Sequence, residues 1–285
     1  MNWINWKFPS YTGGMYLGID VGGTKTLLAV FDEAGRIVHE HRFPSNPRYK
    51  SFLKELDEAI KTELSDHQIT AASCAIAGFE INRETGVVPE LGNLPWKNVQ
   101  LEIDLEKVLS FKVYVENDAK LAALSEALLV REKFKNVLYI TIGTGIGIAQ
   151  VVDGQIRTRL SDKGGRGLVL EYDGKLMDWD DIASGKALVR RFGKHASEIT
   201  DKHIWAEFSA DIARGLIHFV EEMRPDVVIV GGGVGSHFDR FGLLLNLALQ
   251  SYETEHYKMP EAIMAKRPEE AVIYGCYDYI RQKIG

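Results

Sequence analysis

The stretch at residues 17–26, LGIDVGGTKT, joins an apolar strand to a glycine turn that is rich in hydrogen-bond donors. Apolar residues alternate up to Val21, and a second apolar run follows at 27–31, which predicts strand, turn and strand. Gly22 and Gly23 suit the positive φ angles of a hairpin turn. They equally suit a cradle in which backbone N–H groups approach a phosphate, helped by the Thr and Lys that follow. The stretch alone leaves both interpretations open.

The rest of the chain alternates predicted strands with predicted helices, which is typical of an α/β fold. Alternating apolar runs predict the strands, and apolar residues at intervals of three and four predict the helices. Between residues 86 and 97 the composition is that of a loop. The predicted strands lie within 15–31, 36–42, 73–78, 99–103, 113–115, 137–143, 150–157 and 226–235, and the predicted helices within 51–66, 119–130, 180–198, 203–223 and 271–284.

The first hairpin recurs later in the chain. The pattern at 17–22 returns 121 residues further on at 138–143, with Thr141 in the place of Asp20. Each copy continues into a second apolar strand and then another glycine turn. Two such halves predict a duplicated domain whose hairpins face one cleft. Chance is the alternative, because apolar hairpin patterns are common.

Composition and charge exclude several classes of protein. The chain has 285 residues, 45% hydrophobic and 26% charged, which is enough for two domains. A net charge of −6 argues against a nucleic-acid partner. No apolar run approaches the roughly twenty residues of a membrane span, and the first fourteen residues lack a signal-peptide core. Two unpatterned cysteines, Cys74 and Cys276, indicate a reducing compartment. We therefore predict a cytoplasmic protein without a membrane partner.

Three glycine-rich segments each follow a predicted strand, which is where α/β folds bind ligands. They are DVGGTKT at 20–26, TIGTGIG at 141–147 and VGGGVG at 230–235. None matches the GxxxxGK[ST] of a P-loop, and none is convincing as a GxGxxG that is followed by a helix and an acidic residue. Three such turns favour the phosphates of a nucleotide more strongly than one turn does.

A polar triplet, Glu116-Asn117-Asp118, stands between a predicted strand and an alanine-rich helix. Asn or Asp at this point is favoured as a helix cap. A carboxylate at a strand end can also act as the general base for a hydroxyl that attacks a phosphoryl group. The two roles are compatible, with Asn117 as the cap and Asp118 as the base.

Seven segments, in order, resemble the ROK family of sugar kinases: LGIDVGGTKTLLAVFD, IAGFEINRETGVV, NLPW, VYVENDAKLAALSEA, TIGTGIGIAQVVDGQI, ASGKAL and VIVGGGVG. The resemblance runs from about Tyr16 to the last helix. It implies an α/β fold of the duplicated actin-like (ribonuclease H-like) ATPase type, with ATP and sugar in an interdomain cleft. The first domain would comprise 15–119 and 269–285, and the second 120–268.

The resemblance also implies roles for individual residues. Asp118 would be the general base that activates a sugar hydroxyl. Mg²⁺ would arrive with ATP and lie near Asp20. The other implied residues are Gly22, Gly23, Thr24, Lys25, Thr144, Gly145, Gly231, Gly232 and Gly233 together with Asp20 for ATP, and Gly78, Asn93, Asn117 and Asp180 together with Asp118 for the sugar.

The segment at 161–175, SDKGGRGLVLEYDGK, departs from the family pattern. Typical members carry GEIGH here, and its Glu and His hold sugar hydroxyls. Either the motif is deleted between Gly165 and Leu168, or Leu168 stands in the place of the Glu and Glu171 in the place of the His. Both alignments lose the usual pair, so ATP binding is expected to be intact and sugar binding impaired or altered.

The family's cysteine cluster is also missing, so a tetrahedral zinc–cysteine site is excluded. The cluster normally leads into a Glu that contacts sugar, and Asp180 aligns with that Glu. Aspartate is one methylene shorter, which puts its reach in doubt. The alternative is that Asp178, Asp180 and Asp181 make a negatively charged helix start.

These observations support an ATP-dependent sugar kinase. The second interpretation is a nucleotide- or sugar-binding relative whose substrate site is degenerate or altered. A transcriptional repressor of the same family would need a DNA-binding domain, and only about fourteen residues precede the first strand. Another actin-like ATPase or acid kinase is the fourth interpretation. A homodimer through the helix at 203–223 is compatible with its apolar face, although core packing explains that face equally well.

Overall fold

The computed structural model describes residues 14–158, 163–255 and 257–285. The stretch considered for a signal peptide, up to residue 13, lies outside the described residues, as do Ser161 and Asp162. The chain forms two compact units, one made of the described residues up to Asp118 with Cys276–Gly285, and the other of Ala119–Gly275. The domain boundaries expected from the sequence stay a prediction.

The first unit is built on a mixed five-stranded sheet. Its elements are β1 (Met15–Val21), β2 (Lys25–Phe31), β3 (Ile37–Pro44), α1 (Tyr49–Glu63), β4 (Ile69–Ile76), β5 (Gly78–Phe79), β6 (Val88–Leu91), β7 (Lys97–Val99), α2 (Leu101–Leu109) and β8 (Lys112–Asn117). The sheet order is β3-β2-β1-β4-β8, with an antiparallel hairpin on one side and parallel strands on the other.

Amphipathic helices cover the sheet of the first unit. Phe52 and Leu56 of α1 and the leucines of α2 bury their side chains in one cluster with Leu17 and Ile19 of β1. This cluster fixes the sheet and therefore the position of the carboxyl ends of β1, β4 and β8.

The second unit repeats the same sheet. Its elements are α3 (Asp118–Val130, from Ala119 onward), β9 (Asn136–Ile142), β10 (Ile146–Val152), β11 (Gln155–Ile156), β12 (Val169–Tyr172), β13 (Lys175–Asp178), α4 (Trp179–Ala183), α5 (Gly185–Phe192), α6 (Lys202–Met223), β14 (Val227–Gly231), α7 (Gly232–Gly235), α8 (Phe238–Gln250), β15 (Glu261–Met264) and the first turn of α9 (Ala271–Ile284). The sheet order is β11-β10-β9-β14-β15.

The internal duplication predicted from the sequence is confirmed. β9 and β10 begin and end 121 residues after β1 and β2. In both sheets an antiparallel hairpin is followed by two parallel strands in the same order. The repeat therefore extends from a hairpin motif to a whole sheet.

Three sequence predictions of local structure were wrong. The strand predicted at 99–103 ends at Val99, and α2 begins at Leu101 with its leucines buried at helical spacing. The predicted loop at 86–97 contains β6, which pairs with β5 and β7 in a small antiparallel sheet. The helix predicted at 180–198 is broken into α4 and α5, because the Ser184 hydroxyl caps α5 by accepting from the Ala187 N–H at 3.1 Å.

None of the helices in the described part of the chain combines the length and apolar character needed to cross a bilayer.

Candidate active site

The turn between β1 and β2 is closed tightly by the backbone. The Gly22 N–H donates to the Lys25 carbonyl at 3.0 Å, and a Cβ on Gly22 would lie 2.8 Å from that oxygen. The side chains of Thr24 and Lys25 are exposed at the tip. The turn thus presents the hydroxyl and ammonium donors of Thr24 and Lys25 to solvent, as an anion-binding turn requires.

Asn93 lies beside this turn. Its side-chain amide reaches the Val21 carbonyl at 3.5 Å, and a Cβ on Gly23 would lie 3.1 Å from the Asn93 carbonyl oxygen. A residue predicted for the sugar and a residue predicted for ATP are therefore neighbours within one unit.

The carboxyl ends of β1, β4 and β8 bring the predicted polar residues to one edge of the first sheet. Asp20 pairs in register with Ala75, and Ala75 with Glu116, so Asp118 follows β8 close to that row. Burial, together with the negative charge of Asp118, raises the pKa of Asp20 from 3.8 to about 7. The two carboxylates are thus near enough to repel each other.

Asn117 is held from two sides. Its N–H donates to Glu116 Oε1 at 2.8 Å, and its side-chain amide donates to the Gly78 carbonyl at 3.2 Å. Gly78 and Asn117, both predicted for the sugar, are therefore in direct contact. Because Asn117 is held in place, the backbone of the next residue, Asp118, also has a fixed position.

An ion pair that the sequence analysis missed lies behind this junction. Arg83 donates two hydrogen bonds to Glu116, from Nε to Oε2 at 2.8 Å and from Nη2 to Oε1 at 2.5 Å. The Glu116 side chain is only 1% exposed. In the sequence, Arg83 appears only as the Arg of INRETG, 33 residues before Glu116. No local pattern along the chain predicts that these two side chains pair.

We expect Asp20→Asn to stabilise the protein increasingly as the pH rises. The unfolded Asp20 ionises near its ordinary pKa of 3.8, whereas the folded one keeps its proton until about pH 7. The free energy of unfolding therefore decreases as the pH rises from 3.8 to about 7. Asparagine does not ionise, so the variant avoids this decrease. Urea unfolding without nucleotide, at about pH 5 and about pH 8, measures the difference. The exposed Asp66→Asn is the control, and an equal effect of both variants at both pH values would contradict the expectation.

In the second unit, the turn between β9 and β10 carries the second glycine segment. The Gly143 N–H donates to the Gly145 carbonyl at 2.9 Å, and Thr144 is exposed at the tip. The Gly185 N–H donates to the Gly143 carbonyl at 2.8 Å. Asp180 accepts from the Ile146 N–H at 2.5 Å, and burial raises the pKa of its carboxyl.

The third glycine segment meets the second at the same sheet edge. β14 runs parallel to β9 and pairs Gly231 with Thr141, so both segments leave the sheet together. Gly232 has a φ of 81°, and its N–H donates to the Pro268 carbonyl at 3.0 Å. A glycine turn after β9 and the glycine-rich start of α7 after β14, at the carboxyl ends of adjacent parallel strands, suit a nucleotide.

Gly232→Ala is expected to destabilise the unliganded protein by about 1–3 kcal/mol. Its φ of 81° disfavours any side chain, and a Cβ would lie 2.6 Å from the Thr141 hydroxyl oxygen. Gly233→Ala is the matched control, because a Cβ there meets nothing within 4 Å. Urea unfolding of both variants tests this, and equal stability would contradict it.

The segment that departs from the family forms a short turn and a hairpin. A single helical turn at Gly164–Gly167 leads into the β12–β13 hairpin. Leu168 is half-buried and Glu171 is exposed. The two cysteines are both buried in the first unit. Among the described residues, no group of three or more His, Cys, Asp or Glu side chains is arranged to hold a metal ion.

Comparison with known proteins decides the family. The model of the ROK family matches residues 16–282. The chain belongs to the ROK family. Among ROK relatives, a glucokinase of Streptomyces coelicolor is 27% identical, with 94% of this chain and 98% of the relative covered. A fructokinase of Lactococcus lactis subsp. cremoris is 28% identical, with 77% and 79% covered.

A solved ROK structure shows the fold. The ROK glucokinase of Streptomyces griseus, solved with glucose and AMPPNP, superposes with a TM-score of 0.79. It is 24% identical, and the match covers 94% of this chain and all of that one. The duplicated actin-like α/β fold predicted from the sequence is confirmed.

Proposed function

We propose that this ROK protein is an ATP-dependent sugar kinase that phosphorylates a hydroxyl of a hexose or N-acetylhexosamine, with Asp118 as general base. The observation that carries the proposal is the edge of the first sheet. Asp118, Asn117 and Asp20 gather there beside a glycine turn with exposed donors. The names of the relatives, glucokinase and fructokinase, support sugar as the substrate class.

Asp118 would accept the proton of the attacking hydroxyl. The hydroxyl oxygen then forms a bond to the γ-phosphorus as the bond to the ADP oxygen breaks. Backbone fixation of Asn117 supports this role, because a general base must be held at a constant distance from its substrate. The negative charge of Asp118 contributes to the raised pKa of Asp20, so the carboxyl groups of these two residues lie close together.

The glycine loops would hold ATP. In the first unit Gly22 would close the turn while Gly23, Thr24 and Lys25 would offer donors for the phosphates, and in the second unit Thr144 and Gly145 would offer donors. Gly231, Gly232 and Gly233 would lie along the adenosine. The carboxylate of Asp20 fits a hard cation by its oxygen donors, and Mg²⁺ bound with ATP would neutralise phosphate charge.

Gly78, Asn93 and Asn117 would contact the sugar. The contacts of Asn93 with the phosphate turn and of Asn117 with Gly78 support a shared site within the first unit. Sugar binding by Asp180 stays a prediction. One of its carboxylate oxygens already accepts from the Ile146 N–H and is less free to bind a sugar hydroxyl. Cytoplasmic location and dimerisation also stay predictions.

A second candidate is an altered or non-catalytic sugar site. The turn and hairpin at 164–178 carry no histidine, and Glu171 is exposed. A kinase that needs the usual Glu–His pair would bind hexoses poorly, since each lost charge-assisted hydrogen bond weakens binding by about 1.5–3 kcal/mol.

A coupled ADP-release assay distinguishes the two candidates. Mg-ATP is offered with a panel of hexoses, N-acetylhexosamines and polyols, and ATP binding is measured separately by calorimetry. Sugar-dependent turnover supports the kinase and names its substrate. ATP binding without turnover on any member of the panel supports the altered or non-catalytic site.

A further inference from the structure

The second glycine loop is held at both of its ends by one short segment. The Gly185 N–H donates to the Gly143 carbonyl at the start of the loop, and Asp180 accepts from the Ile146 N–H at its end. Asp180 and Gly185 flank the break between α4 and α5. Residues 180–185 thus form a clamp on the turn at 143–146.

The Asp180 carboxylate lies directly against this loop. A Cβ placed on Gly145 would lie 2.8 Å from Oδ1 and 3.3 Å from Oδ2, so only glycine leaves room for the carboxylate. The side chain is 13% exposed, and Oδ2 faces the Arg166 guanidinium at 3.8 Å. Ile146 N–H and Arg166 together offset a negative charge that would otherwise oppose a phosphate.

The neighbour of Asp180 fixes the clamp in the core. Trp179 is fully buried, its indole N–H donates to the Asp211 carbonyl at 2.9 Å, and its backbone N–H donates to the Leu168 carbonyl at 2.8 Å. A Cβ on Gly215 would lie 2.1 Å from the indole ring of Trp179. Only a glycine at this position of α6 leaves space for the ring. The backbone of Asp180 therefore has little freedom to carry its carboxylate elsewhere.

We propose that Asp180 is a positioning residue for the second glycine loop and acts on ATP binding rather than as a sugar ligand. The inference rests on the proposed kinase function. The aspartate side chain, one methylene shorter than the glutamate that the family resemblance implies here, reaches the backbone of the adjacent loop.

The test separates the Michaelis constants for ATP and for sugar. Asp180→Ala removes the acceptor of the Ile146 N–H, so KM for ATP should rise about tenfold or more. KM for the sugar should change less than about twofold. Asp180→Asn keeps an oxygen that can accept from Ile146 and should stay closer to the wild type. Asp181→Ala is the matched control, because the half-exposed Asp181 pairs with Arg190 instead of the loop.

Each other outcome decides against the inference. A rise in KM for the sugar with KM for ATP unchanged would make Asp180 a sugar ligand. No change in either Michaelis constant would show that Asp180 acts neither on ATP binding nor on sugar binding. If the wild type binds ATP without turnover on any sugar, the proposed function fails. The inference is then judged by calorimetry with AMPPNP, where Asp180→Ala must weaken binding about tenfold while Asp181→Ala does not.

Discussion

Asp118→Asn is expected to abolish sugar-dependent ADP release while ATP still binds. Asparagine keeps the size of the side chain and its place at the start of α3, but it cannot take a proton from the attacking hydroxyl. Loss of a positioned general base lowers kcat by about 10²–10⁴-fold. KM for ATP should change little, because the phosphate donors lie in the glycine loops.

The same assay distinguishes Asp118 from its neighbour Asp20. Burial raises the pKa of Asp20 to about 7, which is also suitable for a base. If Asp118→Asn turned over normally and Asp20→Asn did not, the base would be Asp20 and the proposed mechanism would be wrong. Glu84→Gln, an exposed carboxylate in the same unit, serves as the control that should leave kcat unchanged.

Arg83→Met is expected to lower the free energy of unfolding by about 3 kcal/mol. The Glu116 side chain is 1% exposed and would lose the guanidinium that now donates to both of its oxygens, which leaves a buried carboxyl group without its ion-pair partner. Arg83 is itself 28% exposed, and solvent at that end limits the loss to the lower part of the range for buried pairs. Urea denaturation measures the effect.

A double variant shows whether the buried charge is the cause. Glu116→Gln removes the charge but keeps an oxygen for the Asn117 N–H, so Arg83→Met with Glu116→Gln should recover more than half of the lost stability. Arg42→Met is the matched control, since Arg42 pairs with Glu40 at the surface. A double variant as unstable as Arg83→Met would exclude the unpaired charge as the explanation.

Local patterns predicted most of the strands and helices but failed where a pattern was short. The apolar residues at 99–103 suit a strand or a helix, and only the longer series of Leu101, Leu105 and Leu109 distinguishes them. The break at Ser184 could also have been recognised from the sequence, because serine is a favoured helix cap and here precedes Gly185, the first residue of α5. The sequence analysis instead predicts one uninterrupted helix.

The sequence by itself determined the duplicated sheet, the three glycine-rich segments and the acidic residue after β8. Period-two apolar runs and glycine turns depend on neighbours along the chain, so they can be recognised without the fold. The tertiary structure alone decided the partners of the charged side chains. Arg83 meets Glu116 across 33 positions, and Asp180 meets Ile146 across 34. Strand order and helix packing bring such pairs together, and no spacing rule along the chain contains that information.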